Sequence, residues 1–428
     1  MTEPTTPSLP ENWAARFFTI WTGQAFSLFG SALVQFALIW WLTQKTGSAT
    51  VLASSSLVGM LPQILLGPFA GTFVDRASRR LVMIVADSLI ALATVALIAL
   101  FWAGKVEVWH VYIILLLRST GGAFHYPAMS ASTSLMVPKQ HLARVAGANQ
   151  TLNGVMGIIA PPTGALLIGW LPMQQVLMVD VLTALMAVLP LLLISIPQPP
   201  RLENAVQGQS KPSFLEDFRE GLRYVIAWPG LMAILVMATL INFLLTPAGS
   251  LSPLLVTKHF GLGAMQLGWF DSFFGVGIIA GGLVLSAWGG FRRRIVTSLL
   301  GIMGLGVGAR VIGLAPANMF PVALVAMMFT GFMNPITNGP LSAILQSSVR
   351  PDMQGRVMSL INSLATAMTP LSLLVAGPIS DWLGIQVWYW IGGSLCLLMG
   401  LGGFFIPVIM NIENNRNETG PAIQPAVK

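Results

Sequence analysis

The chain has 428 residues, of which 55% are hydrophobic and 9% charged, and its formal net charge is +7. Soluble domains typically carry about 25% charged residues, so a chain this apolar is not an ordinary soluble fold. The positive balance does not point to nucleic acid either, because the basic residues stand in short clusters between long apolar runs.

Those runs define the architecture. A stretch of about 20 apolar residues spans a bilayer as a helix. Leu81 to Ala103 holds one charge, Asp87, and Val387 to Met410 holds none. The 43 Gly and 28 Pro suit such helices, since both residues are commoner in membrane helices than in soluble ones. The first residues are polar and carry Glu3 and Glu11 rather than a basic n-region, so the first helix is expected to direct insertion itself. In chain order the predicted spans lie near 16–42, 50–73, 80–103, 109–136, 144–170, 175–196, 229–257, 264–288, 295–315, 319–347, 354–380 and 386–410. The expected fold is an all-α membrane protein of twelve transmembrane helices in two six-helix bundles, 16–196 and 229–410. A tail (1–15), a linker (197–228) and a second tail (411–428) complete the chain.

Orientation follows from Lys and Arg, which concentrate in cytoplasmic loops. With both termini inside, 17 of the 22 basic residues fall on the inner side and three (Lys45, Lys105, Lys258) outside, while Arg118 and Arg310 lie within spans. A single missed helix would scramble this alternation. The expected location is therefore the cell (inner) membrane, with both ends cytoplasmic.

The linker opens on Pro197, Pro199 and Pro200. Ser213 followed by Glu216 has the form of a capping box. Phe214, Leu215, Phe218 and Leu222 share one helix face opposite Asp217, Arg219 and Glu220, which predicts an amphipathic helix on the inner membrane surface. The two halves repeat weakly. Pro127, Pro138, Arg144–Val145 and Trp170–Leu171 recur as Pro340, Pro351, Arg356–Val357 and Trp382–Leu383, at an offset of 212 or 213. Parallel repeats of this kind place a substrate site between halves at mid-depth.

Between spans two and three stands GTFVDRASRR, from Gly71 to Arg80. A glycine, an Asp-Arg pair and a basic pair in such a loop resemble the signature of the major facilitator superfamily. Gly71 would permit close helix approach. Asp75, Arg76, Arg79 and Arg80, with Arg356 in the corresponding half, would form a charge latch on the inner face. Ser78 replaces the pattern's second glycine, and the matching loop of the second half keeps Gly282 and Arg292–Arg294 without the acid. An Arg with Gly four residues on, Arg118 to Gly122, is similar to the superfamily's fourth-helix motif, which is linked to proton transfer. Gly147, Pro161 and Gly164 are in register with the antiporter motif of drug exporters, whereas Met156 and Ala160 replace expected glycines. Small residues at a helix interface would give the same pattern. The resemblance narrows further. WTGQAFSL (Trp21–Leu28), TGSA (Thr46–Ala49), LVGMLP (Leu57–Pro62), LGP (Leu66–Pro68), RSTGGAFHYP (Arg118–Pro127) and Gly355–Val357 are similar to the macrolide efflux family. This implies proton-coupled export of an amphipathic small molecule. A siderophore or metabolite exporter, or a lysolipid transporter on the same fold, is the alternative.

Charges within membrane spans are costly and mark function by default. Five lie in the predicted spans: Asp87, Arg118, Asp180, Asp271 and Arg310. Asp271 is the expected proton acceptor, and Arg310, at similar outer depth, its expected partner. Arg118 would bind an anionic group or tune an acid, and Asp180 ranks below Asp271. Asp87, near the inner end of its span, reads as a structural partner of inner-loop arginines. Gln24, Tyr126, Asn242 and Asn338 are candidates for lining a substrate cavity. The histidines His110, His125, His141 and His259 show no HExxH spacing, and no G-x-S-x-G elbow or P-loop is present. The chain is therefore expected to be a transporter rather than an enzyme, without metal or cofactor, working as a monomer with a small-molecule substrate, protons and the lipid bilayer as its partners. Its single cysteine, Cys396, cannot form a disulfide within the chain.

Overall fold

A computed structural model describes residues 12–197, 214–350 and 353–413. In chain order its helices are α1 (Trp13–Thr46), α2 (Ala49–Arg76), α3 (Arg79–Trp102), α4 (Val108–Met136), α5 (Leu142–Trp170), α6 (Met173–Leu193), α7 (Phe214–Ala227), α8 (Pro229–Ser250), α9 (Ser252–Leu254), α10 (Ala264–Trp288), α11 (Arg294–Leu314), α12 (Phe320–Ser348), α13 (Gln354–Leu383), α14 (Gln386–Phe405) and α15 (Pro407–Met410). Among the described residues, 11 helices are long and apolar enough to cross a membrane. The remaining long one, α4, has 29 residues but is diluted by His110, Arg118, Ser119, Thr120 and His125. The chain is thus an all-helical membrane protein.

The predicted span 229–257 is not one helix. It breaks after Ser250 into the short α9 and a π-helical turn, Leu255–His259, where Pro247 and Pro253 remove backbone donors from the ladder. Likewise, 386–410 breaks at Ile406 before Pro407. The last carbonyls of α1 are closed by Gly47, whose φ of 58° lets its N–H reach Thr43 O.

The chain divides into two compact units, one comprising Met1–Gly47 and Ser54–Glu203 and the other Ser48–Ala53 and Asn204–Lys428. In the first, α1 packs on α6 and α5, and α3 on α4 and α6. Its core collects Phe17 and Ile20 from α1, Met83 from α3, Met136 from α4 and Leu191 from α6. In the second, α12 packs against both α10 and α11, α14 against α11, and α13 against α8. Val225, Leu231, Leu299, Val357 and Cys396 are fully enclosed there. Leu193, Trp382 and Phe405 are 85%, 83% and 78% exposed, a pattern suited to lipid rather than water.

Without a hydrophobic force between helices in lipid, close backbone approach does the packing. Gly331 on α12 and Gly277 on α10 sit where a Cβ would fall on the carbonyl oxygens of Phe274 and Met328 respectively. Gly331→Leu should therefore force α10 and α12 apart, costing about 1–3 kcal/mol or more. A lowered thermal midpoint and a reduced folded yield in detergent would report it.

The second unit also holds the first turn of α2. Asp381 at the end of α13 accepts the backbone N–H of Ala49 at 2.7 Å and of Thr50 at 3.0 Å, and the hydroxyl of Ser48 at 3.0 Å. This carboxylate caps a helix to which it is not joined in sequence. Gly377 lies against Thr50, and a Cβ there would come 2.7 Å from the Thr50 Cα. Asp381→Ala should cost roughly 1 kcal/mol, the usual value of a lost N-cap, read as a small fall in thermal midpoint.

The amphipathic helix exists as α7, but its surroundings differ from expectation. Tyr224, Val225 and Trp228 enter the core of the second unit and α7 packs on α13, so this part of the linker is docked on protein rather than only on membrane. The Ser213 cap and the Phe214, Leu215 and Phe218 side chains lie outside what is described.

Candidate functional site

The second unit encloses a cavity of about 510 Å³. Its walls are mostly aliphatic, with Ile241 from α8 and Leu299 and Ile302 from α11, and its polar points are few. Asn242 and Asn338 both line it, as do Asn334, Thr246 and Tyr389. Asn242 donates to its own helix at Ala238 O, 2.9 Å, and Asn338 donates to Asn334 O at 3.0 Å. Their amide N–H groups are thus partly occupied, which leaves the carbonyl oxygens as the acceptors on offer. Tyr389 donates to Ala248 O at 2.7 Å and presents its ring.

Asp271 is the one charged side chain among the described residues lining this cavity. No hydrogen bond or ion pair is made by its carboxylate among the described residues, and Arg310 is not its partner. Arg310 is exposed and donates to Ser394 Oγ at 2.6 Å. The reason is packing order. Helices α10 and α11 follow one another in the chain, but α12 packs against both, and α11 turns the Arg310 end toward α14. Equal depth in sequence did not mean adjacency.

Arg118 and Asp180 meet in the first unit. Arg118 Nη1 lies 2.5 Å from Asp180 Oδ2, with side-chain exposures of 8% and 1%. Ser31 Oγ at 3.0 Å and Thr94 Oγ1 at 2.9 Å complete the carboxylate's shell. This is a satisfied, buried ion pair, and neither residue lines the 510 Å³ cavity.

A smaller cavity of about 340 Å³ in the first unit is lined by Trp21, Gln24, His125, Tyr126, Asn149 and Asn153, among others. Tyr126 is 72% exposed. Trp21 Nε1 donates to Asn149 Oδ1 at 2.6 Å. Gln24 Nε2 donates to Asp87 Oδ2 at 3.0 Å, and His125 Nε2 lies 3.4 Å from Asp87 Oδ1. The expected role of Asp87 is thereby corrected: it faces α1 and α4, not the loop arginines. His125, passed over in the sequence for want of a metal-ligand spacing, is its neighbour. No spacing within one segment could have shown this, because the three residues come from three helices.

The signature loop is organised as follows. Asp75 Oδ1 is 3.7 Å from Arg79 Nη2. Arg79 donates to Ala131 O of α4 at 3.2 Å, while Arg80 donates to the Leu191 carbonyl and to Leu192 O at the end of α6. The Arg80 guanidinium thus binds the carbonyl end of α6, where cations are favoured. Arg76 is exposed. Gly71 has open space where a Cβ would stand, so it does not serve a close contact in this structure, and the same holds for Gly147. Gly164 does, with Phe36 Cδ1 at 3.0 Å from such a Cβ, next to Pro161 within α5. In the second unit Arg356 donates to Glu220 of α7 at 2.7 Å. At 30% and 43% exposure this pair contributes little to stability.

The family model of the Major Facilitator Superfamily matches residues 20–372. The chain belongs to the Major Facilitator Superfamily. Macrolide efflux protein A of Streptococcus pyogenes is 34% identical over 390 residues, 91% of this chain and 95% of that protein. Multidrug efflux pump Tap of Mycolicibacterium fortuitum is 28% identical over 90% of this chain and 94% of its own. Among solved structures, a bacterial homologue of the iron transporter ferroportin in its inward-facing state matches at a TM-score of 0.69, covering 91% of this chain and 98% of that one at 14% identity. That likeness is of fold. The superfamily membership and the sequence relatives agree with the resemblance read from the motifs.

Proposed function

We propose that this chain is an efflux carrier of the cell membrane, with both termini cytoplasmic, that exports amphipathic macrolide-like molecules by alternating access and proton antiport. The observation that carries this reading is the Asp271 carboxylate in an otherwise uncharged, largely aliphatic cavity of drug size. Sites for drug-sized ligands are about 300–1,000 Å³, mostly apolar, with a few placed polar groups. A macrolide of the amino-sugar type is a bulky apolar ring with one cationic nitrogen, which matches that lining. A single carboxylate holds either a proton or the substrate's ammonium, but not both at once. Proton entry and substrate exit are thus linked through one group. The named efflux relatives support the direction of transport. A strongly anionic siderophore or a lysolipid phosphate would meet the charge of Asp271 with repulsion, which places those alternatives second.

In this reading the carrier acts as a monomer without metal or cofactor. The two units alternate access to the site, with the loop Gly71–Arg80 and Arg356 acting as the latch of one state. The test is a dye-based pH assay in everted vesicles energised by respiration, with macrolides, lipophilic cations and siderophores added singly. Proton efflux from the vesicle lumen on adding a macrolide or lipophilic cation, only when this protein is present, is the expected result. No response across the panel from correctly inserted protein would contradict it and favour lipid transport.

A further inference from the structure

The first unit buries two carboxylates, Asp87 and Asp180, at 5% and 1% exposure, and gives them opposite partners. Asp180 is held by Arg118, Thr94 and Ser31. Arginine does not deprotonate in proteins, so that pair has fixed charges and no proton to give. Asp87 is held by Gln24 and faces an imidazole, His125 Nε2, at 3.4 Å. Imidazole is the side chain whose charge ordinarily changes between about pH 5 and 8.

We propose that Asp87 and His125, braced by Gln24, form a second proton-carrying centre, so that the carrier moves two protons for each cationic substrate. The proposal rests on the antiport reading above and adds to it. In the loaded form the dyad holds one proton as an imidazolium beside a carboxylate. On release the proton passes from His125 to water in the adjoining cavity, leaving the imidazole neutral and Asp87 ionised. Drug binding and that release are linked because both belong to one transport cycle.

Two further observations point to exchange with a ligand. Gln24 Oε1 is buried without a hydrogen-bond partner among the described residues, and His125 Nε2, also buried, meets the Asp87 carboxylate at 3.4 Å without a hydrogen bond. Both residues line the 340 Å³ cavity, which puts the imidazole at the wall of the space through which a proton would leave. A purely structural cluster would be expected to satisfy such atoms. The remaining charges on neighbouring helices are engaged elsewhere. Arg16 of α1 donates to Ser195, Arg79 and Arg80 of α3 bind carbonyls of α4 and α6, and Arg118 of α4 is locked to Asp180. Lys45, His110 and Arg144 do not line the cavity, and Tyr126 is its other titratable group.

The experiment uses the full-length protein in proteoliposomes, with accumulation of a tertiary-amine macrolide measured against imposed pH steps and potassium diffusion potentials. The wild type is compared with Asp87→Asn/His125→Gln, which keeps shape and removes both titratable groups. Each coupled proton multiplies accumulation by about tenfold per pH unit. The wild type should therefore rise about 100-fold per unit, and about tenfold for each 59 mV of potential, since two protons exchange for one cation. The double variant should rise about tenfold per unit and ignore the potential. Equal pH and voltage dependence in the two proteins would overturn the proposal. So would a wild type that itself shows one proton and no voltage dependence, an outcome that leaves antiport standing and needs no folded variant. A wild type insensitive to pH would instead overturn the antiport reading.

Discussion

Asp271→Asn should lower macrolide affinity by about ten- to a hundredfold, the weight of a charged hydrogen-bonded contact of roughly 1.5–3 kcal/mol. It should also remove one of the protons coupled to transport. The substitution keeps the shape of the side chain and removes only the charge, so packing of α10 against α12 should be undisturbed and the protein should insert normally. The effect is large because no basic side chain neutralises Asp271 among the described residues, and the surrounding wall is aliphatic. A cation entering that cavity finds its one counter-charge there, in a medium that screens weakly. Binding titrations of the purified protein with a tertiary-amine macrolide and with an uncharged analogue make the check specific. The cationic ligand should lose affinity in the variant and the neutral one should not. Equal loss for both would mean that Asp271 shapes the cavity rather than reads charge.

Asp180→Asn should instead damage the fold. It strands Arg118 in the interior, at 8% side-chain exposure, without its carboxylate. Breaking one side of a buried ion pair costs about 3–5 kcal/mol, whereas replacing both sides by apolar residues of similar size is often neutral. A low yield and a lowered thermal midpoint are expected for Asp180→Asn, with recovery in Arg118→Met/Asp180→Leu. Transport by the recovered double variant would establish that the pair is structural here, despite the likeness of Arg118–Gly122 to a motif linked to proton transfer. A single variant of wild-type stability that had lost only its proton dependence would reverse this assignment.

These two residues show what a sequence of this kind discloses. Both stood out as charges in apolar runs, because the cost of burying them is independent of the fold around them. Their partners were less legible. Arg310 looked like the mate of Asp271 since both lie at similar depth on successive spans, yet α12 packs against both α10 and α11. Asp87 shared an end of its span with the loop arginines, but the helix face it occupies turns toward Gln24 and His125. Depth can be counted along a chain, whereas facing depends on how helices rotate and pack.

The helices themselves were the most readable part, because a bilayer demands long apolar segments with their backbone bonds satisfied internally. Departures occurred where proline intervened, at Pro253 and Pro407, and in α4, where polar residues dilute the apolar signal. The docking of α7 was not legible, because Tyr224 and Val225 meet a core assembled from distant segments such as Met353 and Val357. Gly71 illustrates the opposite case. Its place in a motif suggested a close contact, and the structure leaves that space open.

The most direct test of proton–drug exchange needs no membrane. Purified protein in detergent, in weakly buffered solution near neutral pH, is mixed with a tertiary-amine macrolide while free proton concentration is followed. Competition for Asp271 predicts acidification that saturates with the binding isotherm and diminishes in Asp271→Asn. Saturable macrolide binding with no proton release at any pH between about 5 and 8 would contradict antiport through this site.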